Sequence, residues 1–209
     1  YEFPHLTGAV LAVMYDLDVR SATIVGHDWG GIIAWSFAEA YPQKTENLVI
    51  FNRPHPRSRK REMALNNEQK ERSAYIARFT NSEGDLGGMD AERRAQSHQG
   101  TVWYERYLAA YQRSDYEAML NYYRAYYPKP PWMVDESPIV PIQVPVLEFH
   151  GLEDGAYVNE SLNDTWESMG RDFTLVTLPG IGHNSQNTGD IQFVTSMLRS
   201  WLEMQKSRP

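Results

Sequence analysis

The stretch Gly26-His27-Asp28-Trp29-Gly30-Gly31 decides how the rest of the chain is read. Ahead of it stands Ala22-Thr23-Ile24-Val25, an apolar, β-branched run that reads as a buried strand. Behind it, Ile32-Ile33-Ala34-Trp35-Ser36-Phe37-Ala38 reads as a helix packed on a sheet. A strand, a sharp turn with small residues two places either side of one polar residue, and a helix make the nucleophile-elbow pattern. Small flanks let strand and helix cross closely, so the central side chain sits exposed on a strained turn. That residue is Asp28, where many elbows carry serine. An Asp at a helix start is ordinarily a cap, favoured by the helix dipole. Glycines on both flanks, and partners further along the chain, set Asp28 apart from that ordinary case.

Composition narrows the chemistry. At 209 residues the chain is one large domain or a domain with an insertion, long enough for a substantial core. A formal net charge of −7 argues against nucleic acid or an anionic membrane as the main partner. The chain has no cysteine, which excludes disulfides, thiolate nucleophiles and Cys-based metal sites and fits a reducing, cytoplasmic setting. No apolar run reaches the length of a membrane span.

Outward from the elbow, residues 6–17 carry apolar side chains at a helical period, and the helix after the elbow stops near Tyr41-Pro42. Asn47-Leu48-Val49-Ile50-Phe51 is a second short strand, so strand, helix and strand imply parallel pairing through a right-handed crossover. The character changes at Asn52-Arg53-Pro54-His55-Pro56. From there to about residue 127 the chain offers polar, helix-prone stretches at 59–72, 73–80, 101–111 and 116–127, with a loop by composition over 81–88. Half of the 12 prolines fall between 128 and 145, an extended return to the sheet. Strands are expected again at 144–150 and 173–178, with helices at 159–169 and 190–205 and a loop at 179–187. The expected fold is α/β: a mostly parallel sheet flanked by helices, with a helical cap inserted. The core occupies 1–53 and 141–209, and the cap occupies 54–140.

Open parallel sheets place ligands at the carboxyl ends of their strands. Three polar residues follow expected strands there: Asp28 on the elbow, Asp154 in Gly151-Leu152-Glu153-Asp154, and His183 in Pro179-Gly180-Ile181-Gly182-His183. Taken singly, Asp154 is a turn former and His183 a surface histidine. Together they follow the order nucleophile, acid, histidine.

With these residues in view, the chain resembles the epoxide hydrolases of the α/β-hydrolase fold. The resemblance rests on Gly26-His27-Asp28-Trp29-Gly30-Gly31, Phe51-Asn52-Arg53-Pro54-His55-Pro56, and Gly182-His183 with Gln186. It runs nearly the whole length of the chain, although the elbow alone is shared with haloalkane dehalogenases. It implies a cofactor-free and metal-free hydrolase that takes an epoxide and water to a vicinal diol. The implied residues are an Asp28 nucleophile, a His183–Asp154 pair, and two cap tyrosines. Asn121-Tyr122-Tyr123-Arg124 resembles one cap motif and points to Tyr123. Ser73-Ala74-Tyr75 with Phe79 resembles the other and points to Tyr75. Helical periodicity by itself does not separate Tyr123 from Tyr122. Trp29 is expected to give a backbone N–H to the oxyanion, and Phe79 and Trp103 to line an aromatic substrate site. The run from His183 to Asp190 departs from the family's pattern: Asn184 stands where an aromatic commonly follows the histidine, and no acidic-x-Pro comes after it.

The chemistry agrees with these residues. A carboxylate attacks an sp3 carbon bearing a strained or halogen leaving group, forming an alkyl ester, but is a poor nucleophile toward carboxylic esters and amides. Tyrosine hydroxyls can hydrogen-bond an epoxide oxygen as it opens. Family members also carry an early His-Gly-x-Pro loop that gives the second oxyanion donor, and this sequence contains none. By the resemblance, the first four strands of the family's sheet lie ahead of Tyr1, leaving the elbow strand at an edge. A missing N-terminal segment or a partner chain is therefore expected to complete the sheet. Two other readings stay open: a haloalkane dehalogenase with the same nucleophile, and a non-catalytic hydrolase-like fragment.

Overall fold

Four strands form one sheet, in chain order and all parallel: β1 (Ala22–His27), β2 (Thr45–Phe51), β3 (Val146–Gly151) and β4 (Phe173–Leu178). They belong to a computed structural model that describes residues 1–81, 90–127, 129–187 and 191–207. The register aligns Gly26 with Ile50, Ile50 with Glu148 and Glu148 with Leu175. β3 is buried at every residue, because helices cover both faces of the central strands. On one face, α2 (Trp29–Ala40) packs Ala34, Trp35 and Ala38 on Leu48, Ile50 and Val146. On the other, α9 (Ile191–Lys206) packs Val194 and Trp201 on Val49, Phe51, Leu147 and Phe149. Residue 190, where this helix was expected to begin, lies outside the described residues. β1 and β4 are the edges of this sheet, and Val25 on β1 is 56% exposed.

The chain divides into two units, one of Phe3–Ser73 with Pro130–Pro209 and one of Tyr1–Glu2 with Ala74–Lys129. The first holds the sheet, α1 (Phe3–Asp16), α3 (Pro56–Leu65) and α4 (Asn67–Arg72). The second holds α5 (Ile76–Asn81), α6 (Ala91–Ala95), α7 (Tyr104–Gln112) and α8 (Tyr116–Tyr126). There α5 packs with α8 and α6 with α7, burying Ile76, Leu120 and Ala95. The smaller unit covers less of the chain than the cap expected over 54–140, since 54–73, with α3 and α4, and 130–140 group with the sheet. Both helices are tied to the sheet-bearing unit: α4 through Gln69 and Arg72, which donate to the Ala156 and Tyr157 carbonyls, and α3 through Arg61, which donates to the Glu160 and Asn163 carbonyls.

Some expected elements differ in detail. The helical stretch at 59–72 is two helices, because Asn66 turns extended and its side chain caps α4 through the Glu68 and Gln69 N–H groups. The helix expected over 159–169 is corrected to two 3-10 turns, Asn159–Leu162 and Thr165–Ser168. Asn163 is extended and Asp164 left-handed (φ 60°) between them, conformations that Asn and Asp tolerate better than most residues. α6 was not foreseen. The loop expected over 81–88 lies outside the described residues from 82 onward, and Asn81 closes α5. No helix among the described residues is long and apolar enough to cross a membrane.

Candidate active site

The elbow owes its close crossing of strand and helix to Gly26. A Cβ on Gly26 would stand 2.3 Å from the Gly30 carbonyl oxygen, so strand and helix cross there only without a side chain. Between them Asp28 adopts φ 50° and ψ −118°, a conformation that L residues rarely hold and that tight packing must enforce. Its side chain does not cap α2. Freed from that task, the carboxylate faces the loops that follow β3 and β4.

Those loops bring the other two residues of the ordered triplet. His183 Nδ1 lies 2.9 Å from Asp154 Oδ2, and its Nε2 lies 3.3 Å from Asp28 Oδ1. Asp154 is fully buried, and each oxygen is satisfied. Oδ2 also accepts from Asn52 Nδ2 at 2.8 Å, and Oδ1 accepts the Ala156 N–H at 2.7 Å and the Tyr157 N–H at 3.3 Å. Burial would raise the Asp154 pKa, but the His183 hydrogen bond and charge, with the Ala156 and Asn52 donors, bring it below the usual carboxylate value. The histidine loop is held in turn by His27, whose Nε2 donates to the His183 carbonyl at 2.9 Å. Burial keeps the His27 pKa below that of free imidazole, so the ring stays a neutral donor.

Opposed effects set the charges. Burial acts to lower the His183 pKa, yet its hydrogen bonds to Asp154 and Asp28 outweigh this and push it up to about 9. Burial acts to raise the Asp28 pKa. The His183 hydrogen bond, the Arg53 and His183 charges and the Trp29 backbone N–H hold it well below the carboxylate range instead. At neutral pH the arrangement is an imidazolium between two carboxylates.

Arg53 and Tyr157 adjoin Asp28 without having been singled out as site residues. Both are nearly buried, and Arg53 Nη1 stands 4.0 Å from Asp28 Oδ1. A signal was present: Asn52 and Arg53 directly follow β2, at the carboxyl end where ligands gather. Tyr157 comes three residues after Asp154 but lies in a turn with no periodicity to mark it.

The aromatic candidates of the smaller unit fall into two places. Phe79 contacts Tyr75 (ring centroids 5.5 Å apart) and Tyr123 (5.0 Å), so these three rings form one cluster. Trp103 is 52% exposed and lies under the Arg106 guanidinium at 5.3 Å, rather than in that cluster. Trp29 belongs to the sheet-bearing unit, its indole 5.7 Å from the Arg53 guanidinium carbon.

Comparison with known proteins gives consistent relatives. The family described as the α/β hydrolase fold matches residues 1–137. Epoxide hydrolase 1 of Caenorhabditis elegans is 25% identical over 202 residues, covering 88% of this chain and 48% of its own length. The AB hydrolase superfamily protein YfhM of Bacillus subtilis (strain 168) is 32% identical over 139 residues, covering 60% of this chain and 48% of its own. The chain spans about half the length of these curated relatives. The crystal structure of the Bacillus megaterium epoxide hydrolase in complex with an inhibitor superposes with a TM-score of 0.82 at 24% identity. It covers 97% of this chain and 76% of that one, a likeness of fold.

Proposed function

This chain belongs to the α/β-hydrolase fold family, and from that premise we propose that it opens an epoxide with water to a vicinal diol. The observation that carries the reading is the contact of His183 with two carboxylates, Asp154 at 2.9 Å and the elbow residue Asp28 at 3.3 Å. An ionised carboxylate on a strained elbow is suited to attack an sp3 carbon and unsuited to acyl transfer. One Asp28 oxygen bonds to the epoxide carbon, the C–O bond breaks, and the oxygen leaves as an alkoxide that takes up the proton His183 gives up as it becomes neutral. The resemblance gives the hydrogen bonds to that oxygen to Tyr123 and Tyr75, and their shared packing on Phe79 supports treating them as a pair.

Esterification removes the Asp28 charge, and with it both the hydrogen bond and the attraction by which Asp28 raises the His183 pKa. His183 thereby moves toward the neutral imidazole that hydrolysis requires. It takes a proton from water as the water oxygen bonds to the ester carbonyl carbon, with Asp154 stabilising the imidazolium. The bond from that carbon to the ester oxygen carrying the substrate then breaks, the diol oxygen takes the resulting carboxyl proton, and Asp28 returns as a carboxylate. Trp29 offers a backbone N–H to the oxyanion. The second donor, and a further strand paired to β1, come from a segment or partner that completes the sheet. The exposed Val25 on the edge supports that part of the proposal.

Mass spectrometry after brief incubation with styrene oxide tests the reading. A substrate adduct on Asp28 is expected, and it accumulates when His183 is replaced by Gln. A folded protein that forms neither adduct nor diol overturns it. Halide release from a chloroalkane without any diol reassigns the same nucleophile to dehalogenation.

A further inference from the structure

We propose that Arg53 and Tyr157 are positioning residues for Asp28, a buried cation and hydroxyl that anchor one nucleophile oxygen and leave the other to attack. This rests on the reading of Asp28 as nucleophile. Three groups converge on the same oxygen, Asp28 Oδ1: His183 Nε2 at 3.3 Å, the Tyr157 hydroxyl at 3.5 Å and Arg53 Nη1 at 4.0 Å. Arg53 Nη1 also donates to the Tyr157 hydroxyl, whose proton is thereby directed toward Asp28. The three come from separate parts of the fold: the loop after β4, the turn after β3 and the end of β2. A carboxylate gripped by one oxygen from three directions has its rotation about the side chain stopped.

The surroundings are built for that guanidinium. A Cβ on Gly31 would come 2.6 Å from Arg53 Cβ and 3.0 Å from its Cγ, so the bare glycine makes room for the arginine stem. Its carbonyl accepts the indole N–H of the buried Trp35 at 3.1 Å, which fixes its backbone. Its charge lies over two rings, Trp29 at 5.7 Å and Tyr157 at 5.2 Å. A buried guanidinium is costly to desolvate unless an anion and hydrogen bonds answer it, and Asp28 is an anion the fold sets beside it.

Tyr157 is placed by the turn that carries Asp154. Its N–H is held by Asp154 Oδ1 at 3.3 Å, and its carbonyl accepts from Arg72 Nη1 at 2.7 Å. One five-residue turn thus delivers the carboxylate that holds His183 and the hydroxyl that reaches Asp28. Charged and titratable groups around Asp28 and Tyr157 are His183, Arg53, His27, Asp154 and Arg59, whose guanidinium lies 5.9 Å from the Tyr157 ring. Of these, His183 and Arg53 lower the Asp28 pKa.

The test is 13C NMR titration of the Asp28 carboxyl in the full chain without substrate, assigned by difference against Asp28→Asn. Arg53→Met is expected to raise that titration by about one to three pH units. Arg53→Lys should restore most of the parent behaviour, and Tyr157→Phe should give a smaller rise. The acid limb of the rate of Asp28 adduct formation should move with the titration. An Asp28 titration unchanged in Arg53→Met overturns the proposal, as does a fall in rate with the acid limb unmoved. Should Arg53→Met fail to fold, Tyr157→Phe decides, since it removes one oxygen atom. No upward movement there overturns the proposal equally. Absence of any adduct in the parent protein counts against the hydrolase reading instead, and leaves the carboxyl titration to decide the role of Arg53.

Discussion

His183 carries the most pH-sensitive charge of the site. Its two carboxylate contacts raise its pKa to about 9 against the effect of burial. Asp28→Asn removes one anion and keeps the shape, so the His183 titration should fall by about one unit or more, read from imidazole NMR shifts. An unmoved titration would mean that Asp154 alone holds the proton. Gly31→Ala tests a different property of the elbow. The added methyl would enter the space of the Arg53 Cβ and Cγ, at a cost of about 1–3 kcal/mol for forced overpacking. Thermal melts should show the loss, and the Asp28 carboxyl should titrate higher because Arg53 is displaced. At this scale legibility follows chemistry. Asp28, Asp154 and His183 could be read because each follows a strand end and their order has meaning. Asn52 and Arg53 follow a strand end too, but their roles, like that of Tyr157, rest on burial and contact, which neighbours in sequence do not reveal. Arg53 in particular looks like a surface cation before a proline until Gly31 is seen to admit its stem.

At the scale of elements, the turn over 154–158 is held from α4. Gln69 is fully buried; its Nε2 donates to the Ala156 carbonyl at 2.9 Å and its Oε1 accepts the Val158 N–H at 3.1 Å. Gln69→Ala leaves both backbone groups without that partner, each costing about 1–3 kcal/mol if it stays buried. A lower melting temperature is therefore expected, with slower ester hydrolysis than ester formation, since Asp154 serves His183. Single-turnover kinetics separates the two steps, and an equal effect on both would refute the link. Elements with strong patterns were legible: four strands, α2 and α9 match their apolar runs. Shorter pieces were not. The helix expected over 159–169 has an apolar period, yet Asn163 and Asp164 break it into 3-10 turns. The grouping of α4 with the sheet was likewise hidden, because it depends on Gln69 and Arg72 finding carbonyl groups some 85 residues away. Hydrogen-bond partners at that separation leave no local period.

Across the whole molecule, the sheet carries costly buried groups on β3, Glu148 among them, and an apolar edge at β1. Glu148 is fully buried on β3, and neither carboxyl oxygen has a hydrogen-bond partner among the described residues. Burial alone raises its pKa to about 8 from 4.5. Between those values the folded state keeps a proton that the unfolded chain has lost, so stability declines as pH rises through the window and is lowest above about 8. Glu148→Gln should therefore melt higher than the parent at pH 9, with the difference shrinking toward pH 4.5. A constant difference across that range would assign the effect to packing. The apolar edge in question is β1, one of two edge strands. It is bonded on one side to β2, and Val25 stands 56% exposed on an apolar, β-branched strand. Such edges pair with other strands unless a charge, a proline or a covering element blocks them. If a further segment or partner completes the sheet, the chain alone should associate through β1 in a concentration-dependent way. Val25→Lys places a charge on that edge and should reduce the association in sedimentation velocity, while the His183 titration, set by loops beyond the strand, stays where it was. A chain that remains monomeric at high concentration, with or without the lysine, would show that β1 needs no partner strand.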